Sequence, residues 1–246
     1  MNKLAGIWNV WDGDELLKRS IELIKPHLDL VIVIYQNTSN TGEFYNPTLP
    51  HELIDISDFY IPSVTQTGQW NETMKRNIGL QIAKIYKCTH FIQMDCDEMY
   101  FSEDFKKAKD FVYEIDLDAS YCGLKTYYKY PTKQIVPDEN YFVPFIHKIY
   151  PETKMCFDKN YPAFADPTRR TNTYKKHSEL FFLKMHHYSF VRRDINRKLR
   201  NSSSSQAFEK QYHIWERFES TGEMIHFKNY KTIDVDNYFN LEFIYK

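Results

Sequence analysis

His90-Phe91-Ile92-Gln93-Met94-Asp95-Cys96-Asp97-Glu98 is an apolar run that breaks off into carboxylates. A strand buried on both faces, as in a parallel sheet, reads as continuous apolar residues rather than alternating ones. The run therefore reads as a buried strand, and open α/β sheets bind their ligands beyond the carboxyl ends of such strands. Asp95 and Asp97, two apart, project from that end with hard oxygen ligands. Such oxygens suit Mg²⁺ or Mn²⁺ bound together with substrate phosphates. The competing reading is a strand that runs into an acidic, solvated turn. The stretch alone does not separate the two.

Outward from it, the N-terminal side supplies a βαβ unit. Leu4 to Val10 reads as a strand, and Asp12 with Glu15 as a capping box. A helix with Leu16, Leu17, Ile21 and Ile24 on one face stops before Pro26, and Leu30 to Tyr35 is a second buried strand. The polar loop Gln36 to Gly42 then lies at a strand's carboxyl end, where Gln36 and Asn37 can hydrogen-bond a base or ribose; ordinary turn chemistry is the alternative. Leu53 to Ile61 holds one or two short strands and Thr65 to Trp70 a loop. Asn71 caps a helix carrying Met74, Ile78, Ile82 and Ile85 on one face. Lys75, Arg76 and Asn77 near its start form a place where an anion could bind.

Beyond the acidic stretch, Glu103 to Ile115 reads as a helix. Tyr121 to Tyr130 and Tyr141 to Tyr150 read as aromatic-rich strands with antiparallel spacing. An irregular stretch from Asp158 to Thr171 carries Asp166 between flanking prolines and the pair Arg169-Arg170. Glu179 to Tyr188 is a further apolar strand, ending at His186-His187-Tyr188-Ser189. Arg192 to Arg200 reads as a basic helix, Ser202 to Ser205 as a loop, and Ser205 as the cap of a helix through Phe218. The tail from Val235 to Phe243 packs back on the body. With no repeat and no Pro- or Gly-rich linker, the simplest division is one domain with two subregions, 1–116 and 117–246.

Composition narrows the function classes. Lys+Arg 32 against Asp+Glu 33 gives no global electrostatic case for nucleic acid or membrane, although a local patch remains open. Four scattered cysteines without a CxxC pair favour free thiols over a zinc ribbon or a disulfide framework. No apolar stretch reaches transmembrane length and the N-terminus is too short and polar for a signal peptide, so a soluble, cytoplasmic protein is expected. Nineteen Tyr, eighteen Phe and four Trp are an unusual aromatic load, and core packing is the default reading for most of them. Tyr127, Tyr128, Tyr130 and Trp70 are the rings that could instead stack on sugars.

The order βαβ, then Lys75-Arg76-Asn77 with Gly79 on a helix, then Asp95-Cys96-Asp97-Glu98, resembles the GT-A fold glycosyltransferases, specifically the small family-2-like enzymes with a DxD motif. The resemblance covers the first half well. The second half matches through Asp166-Pro167-Thr168-Arg169-Arg170 and through His186-His187-Tyr188-Ser189 followed by Val191-Arg192. It implies an α/β, Rossmann-like single domain. Residues 1–116 would be a mostly parallel nucleotide-sugar-binding half, and 117–246 a mixed half that binds acceptor and closes the metal site.

The resemblance also implies roles. Asp97 would bind Mn²⁺ or Mg²⁺ bridging the donor diphosphate of a nucleotide sugar, a UDP-sugar first, and Asp95 would contact the metal through water or the donor ribose. His186 or His187 would complete the site; strand neighbours point to opposite faces, so one of the two serves, with a slight lean to His187. Asp12, Gln36 and Asn37 would hold the nucleotide. Arg76 would support the phosphates or the aspartates, and Arg169 and Arg170 would meet the phosphates or sit on a solvated loop. An acceptor hydroxyl of a glycan or glycoconjugate needs a base, for which Asp166 is nominated with Glu179 as rival. Glu98 receives no role. The alternatives are a sugar-modifying transferase acting on nucleic acid, with the 192–200 helix on phosphates, a sugar nucleotidyltransferase, and a non-catalytic carbohydrate- or nucleotide-binding protein. The Gly-rich N-terminal loop expected of a nucleotidyltransferase is missing between Val10 and Leu17.

Overall fold

The computed structural model describes residues 2–45, 55–63, 67–201 and 212–242. Its frame is a ten-stranded mixed sheet. The first four strands to consider are β1 (Leu4–Val10), β2 (Leu30–Tyr35), β3 (Phe59–Pro62) and β4 (His90–Asp95). They run parallel in the order β4-β1-β2-β3. Every residue of β1 is buried, as are the first five of β2 and of β4, which is why these segments read as unbroken apolar runs. The class expected from the sequence, α/β with a mostly parallel first half and a mixed second half, is the class the chain adopts.

The second half extends the same sheet. After the two-residue β5 (Glu98–Met99) come β6 (Ala119–Tyr128), β7 (Lys133–Val136), β8 (Phe142–Lys148), β9 (His177–Phe190) and β10 (Lys231–Asp234). β8 lies antiparallel between β4 and β6, and β9 runs parallel to β6 while pairing antiparallel with β5. The strands expected at Tyr121 to Tyr130 and Tyr141 to Tyr150 are thus present and antiparallel, as β6 and β8.

Five helices are described: α1 (Asp14–Ile24), α2 (Gln69–Ile85), α3 (Ser102–Ile115), α4 (Ile195–Asn201) and α5 (Tyr212–Thr221). Two of their starts differ from expectation. Gly13 at φ 86°, not Asp12, precedes α1, and the Asp12–Glu15 capping box does not form. Glu15 instead accepts from the Arg193 backbone N–H, while Asp12 accepts from Gly13 and Arg197. α2 begins two residues before Asn71, whose side chain donates to Asn40 rather than capping the helix.

The buried face of α2 is also rotated from the expected one. Arg76, Leu80 and Ala83 are fully buried, whereas Met74, Ile78 and Ile82 are half-buried and Ile85 is exposed. Gly79 explains the rotation: a Cβ there would come 2.3 Å from Ile7 Cγ2, so the bare glycine lets the helix lie directly on β1. The basic helix expected over 192–200 is shorter, starting at Ile195. The loop and cap at Ser202 to Ser205, the start of the strand region at Leu53, Thr65 and Phe243 lie outside the described residues.

Candidate active site

β1 and β4 are in register with Asn9 opposite Asp95, so both side chains stand at the carboxyl edge of the parallel sheet. The chain turns through Cys96 and Asp97 into β5. Asp95 and Asp97 line a cavity of about 740 Å³ together with Cys96 and Glu98, and the buried Cys96 thiol donates to the Asn9 carbonyl at 3.7 Å. This turn is held from both sides. Trp8 Nε1 donates to Ser20 Oγ, which donates to the Glu98 carbonyl at 2.7 Å. The Tyr188 N–H donates to the Asp97 carbonyl at 2.8 Å, and β9 pairs Glu98 with His187. Sheet pairing therefore brings a strand from the far half of the chain onto the aspartates.

Three arginines from three different elements meet the carboxylates. Arg76 on α2 lies 2.8 Å from Glu72 and 3.2 Å from Asp95. Arg169, in the short helical turn Pro167–Arg169, contacts Glu98 at 2.6 Å and Asp95 at 3.4 Å. Arg192, just past β9, sits 2.5 Å from Asp97. Burial disfavours charge on Asp97, but Arg192 and then His187 outweigh it and hold the carboxyl well below its usual range. Burial likewise works against Asp95, and Arg76 and Arg169 overcome it. Glu98 goes the other way, pushed up to about 7 by burial against the pull of Arg169.

Of the two histidines, His187 faces the cavity, with Nε2 3.8 Å from Asp97 Oδ2. His186 points to the opposite face, where Nδ1 meets the Tyr127 hydroxyl at 2.7 Å among the rings of Phe101, Tyr238 and Phe239. Asp12 and Asp166 also line the cavity. Gln36 and Asn37 do not. Their loop reaches the cavity instead through Asn40 and Thr41, and the Gln36 amide donates to the Thr38 carbonyl. Arg170 is spent bracing its own loop, donating to the carbonyls of Ala165 and Asp158. Glu179, the rival base, lies eight residues before His187 on β9 and away from the cavity. Tyr127 and Tyr128 are core rings.

Several residues of the site have no simple signature in the sequence. Asn9 is buried at the cavity wall with neither its Nδ2 nor its Oδ1 partnered among the described residues. Lys75 is 5% exposed, and its ammonium, which burial pushes down from the usual lysine range, has no hydrogen bond or ion pair among the described residues. Glu139, in the loop before β8, lines the cavity and accepts from Thr126 Oγ1; Thr126 pairs with His187 across β6 and β9. The signal for Arg192 is present as Val191-Arg192 after the late strand, but its partner is distant in sequence. Three cations of the basic stripe around it are held by acids of this chain: Arg192, Arg197 and Arg200 are paired with Asp97, Asp12 and Glu43.

A divalent cation shared with a diphosphate needs only one or two protein carboxylates. Asp97 and His187 face the same space 3.8 Å apart with Asp95 on the same wall, donors of the kind Mn²⁺ or Mg²⁺ takes, and Asp97 Oδ2 is also the oxygen that meets Arg192. Among the described residues, Asp12, Asp14 and Glu15 are the group of three ligating side chains that approach within 4.8 Å of one another. One oxygen of each is engaged, Asp12 Oδ1 by Arg197, Asp14 Oδ1 by the Tyr45 hydroxyl and Glu15 Oε1 by the Arg193 N–H.

No family model matches the sequence, and no curated protein matches it. Among solved structures, S. aureus TarS is similar at 15% identity and a TM-score of 0.47, over 88% of this chain and 43% of TarS. The chain thus spans less than half of that protein. S. aureus TarS 1-349 in complex with UDP-GlcNAc gives 14% identity and a TM-score of 0.44, over 89% of this chain and 74% of the other. A putative nucleotide-diphospho-sugar transferase from Desulfovibrio desulfuricans G20 gives 11% and 0.42, over 89% and 99%. These likenesses concern overall shape and assign no residue a role. Among the described residues no helix is long and apolar enough to cross a membrane.

Proposed function

We propose that the chain transfers a sugar from a nucleoside diphosphate sugar, a UDP-sugar first, to a hydroxyl of a glycan or glycoconjugate, with Mn²⁺ or Mg²⁺ as cofactor. One observation carries the reading: Asp95, Asp97, His187, Lys75 and two arginines converge on one cavity at the carboxyl edge of a parallel sheet. In this reading residues 1–116 hold the donor and 117–246 the acceptor. Four free cysteines, three of them buried, accord with a reducing, cytoplasmic setting.

Asp97, His187 and Asp95 would hold the metal, which when bound supplies Lewis-acid neutralisation of the leaving diphosphate. The protein's own share is electrostatic. The Arg192 guanidinium keeps Asp97 ionised and oriented, and its Nε and Nη1 are buried without partners among the described residues. With Lys75 and Arg169 it offers donors to phosphate oxygens, where charge builds as the sugar leaves. Asn9 presents one donor and one acceptor, the complement of a uracil imide edge, and Asp12 keeps an unpartnered Oδ2 beside it for a ribose hydroxyl or base N–H.

In the transfer the bond from the anomeric carbon to the phosphate oxygen breaks, and the diphosphate leaves with the electron pair. The bond to the acceptor oxygen forms, and the acceptor's proton passes to a carboxylate. Asp166 remains the nominee for that base. Its Oδ1 accepts from the Thr168 N–H and hydroxyl, which fixes the side chain while Oδ2 makes no hydrogen bond among the described residues. The test is a calorimetric screen of nucleoside diphosphate sugars with and without Mn²⁺. Binding that strengthens with Mn²⁺ is expected; no binding in either condition overturns the reading.

A further inference from the structure

The carboxylates of the cavity are of two kinds. Asp12, Glu72, Asp95, Asp97 and Glu98 each pair with an arginine. Glu139 and Asp166 pair with no cation among the described residues, and accept instead from the neutral hydroxyls of Thr126 and Thr168. Both belong to the second half of the chain, and Tyr141 and Phe142 line the wall with them.

That wall continues outward in aromatic rings. Phe164 is 68% exposed, and Tyr141 meets it edge-on with centroids 5.2 Å apart. Phe142 is braced edge-on by Tyr121 at 5.4 Å. The Phe142 N–H donates to the Phe164 carbonyl at 3.0 Å, and Phe142 bridges Ala165, so the two backbone segments carrying the rings are tied together. A large ring left open beside a polar cavity does not serve core packing.

A pyranose has a face of C–H groups and a rim of hydroxyls. Aromatic rings accept the face, and carboxylate oxygens accept hydrogen bonds from the rim. A phosphodiester acceptor would bring further negative charge against two carboxylates that make no contact ion pair among the described residues. We infer that Tyr141, Phe142 and Phe164 form a stacking platform for one neutral pyranose unit of a glycan acceptor, with Glu139 and Asp166 accepting from its hydroxyls. The inference rests on the transferase reading for its direction, since it places the acceptor beside the donor site.

The test is a printed array of neutral oligosaccharides probed with the whole chain in the presence of UDP and Mn²⁺, with UDP affinity measured in parallel by calorimetry. The wild type is expected to be retained on at least one neutral glycan. Phe164→Ala, at an exposed position that leaves the fold intact, should weaken retention about tenfold without changing UDP affinity. Phe181→Ala, which removes a similarly exposed ring far along β9, should change neither. Retention on no neutral glycan, or equal retention by wild type and Phe164→Ala, overturns the platform even if UDP binds normally. Failure of the wild type to bind UDP overturns the transferase reading instead, and glycan retention that Phe164→Ala removes would then still support the platform.

Discussion

The wall of the cavity proposed for the donor and the wall proposed for the acceptor both carry carboxylates, and they are treated in different ways. On the first, each carboxylate meets a guanidinium; burial pushes Glu98 up to about 7, whereas Asp97 is held well below its ordinary titration range by Arg192 and His187 despite burial. A carboxylate so stabilised is a poor proton acceptor and a good ligand for a cation. On the acceptor wall Glu139 and Asp166 are positioned by threonine hydroxyls, which orient a carboxylate without neutralising it. The same side chain thus serves charge binding in one place and is available for proton transfer in the other. What differs is the partner, not the residue.

That division can be broken by experiment. The largest effect should come from the acceptor wall. Whichever of Asp166→Asn and Glu139→Gln removes the base should lower kcat for sugar transfer by about 10²–10⁴ with UDP affinity unchanged. Turnover untouched in both variants would end the distinction. Next comes the donor wall. Arg169→Met leaves the buried Glu98, already pushed up to about 7, without its cation, and should cost about 3–5 kcal/mol in a denaturant titration at about pH 9, where the carboxyl must otherwise ionise unpaired. A loss under about 1 kcal/mol would show that the pair is solvated like a surface bridge. A smaller effect, about 1–3 kcal/mol, is expected for Gly13→Ala. Gly13 has φ 86°, and a Cβ there would come 1.6 Å from Arg192 Nη1, so the guanidinium must leave Asp97. UDP affinity should fall with stability in that variant.

A pH effect separates the cavity from the core behind it. His90 and His147 are buried and neutral, pushed by burial down to about 4 and about 3. The unfolded chain takes up protons below about pH 6.5 that the folded chain refuses, so this stability is complete above pH 6.5 and falls as pH drops. Each histidine contributes a slope of up to about 1.4 kcal/mol per pH unit. Glu98, pushed up to about 7, works the other way over part of this window, so the histidine share is read as the change that His147→Gln makes in the difference between unfolding free energies at pH 7 and pH 5, which should shift in favour of the variant at pH 5.

The parallel half of the fold is legible because strands buried on both faces leave continuous apolar runs, and β1, β2 and β4 do. Asp95 and Asp97 are legible as a site because the apolar run of β4 stops at them, which sets both carboxylates at the ligand-binding edge of the sheet. What stays hidden depends on contacts between distant segments. Arg192 reads as one cation of a basic helix until β9 pairs with β5 and sets it on Asp97. Glu98 looks idle until Arg169 arrives from a loop seventy-one residues later. The start of α1 is hard to place because Asp12, which looks like a cap, is used by Arg197, and Gly13 is needed bare beneath Arg192. Glu139 lies in a loop without periodicity, so nothing local marks it, whereas Glu179 looks suitable only while its distance along β9 is unknown.

The central claim is that this cavity binds a nucleoside diphosphate through Asp97 and its cationic surroundings. Asp97→Asn tests it most directly, since the amide can still accept from Arg192 whereas alanine would strand that buried charge. UDP titrated calorimetrically into wild type and Asp97→Asn, each with and without Mn²⁺ and at a temperature where circular dichroism shows both folded, should show Mn²⁺-enhanced binding that the variant loses. Equal Mn²⁺-dependent binding in both proteins, or no UDP binding by the wild type, would contradict the account.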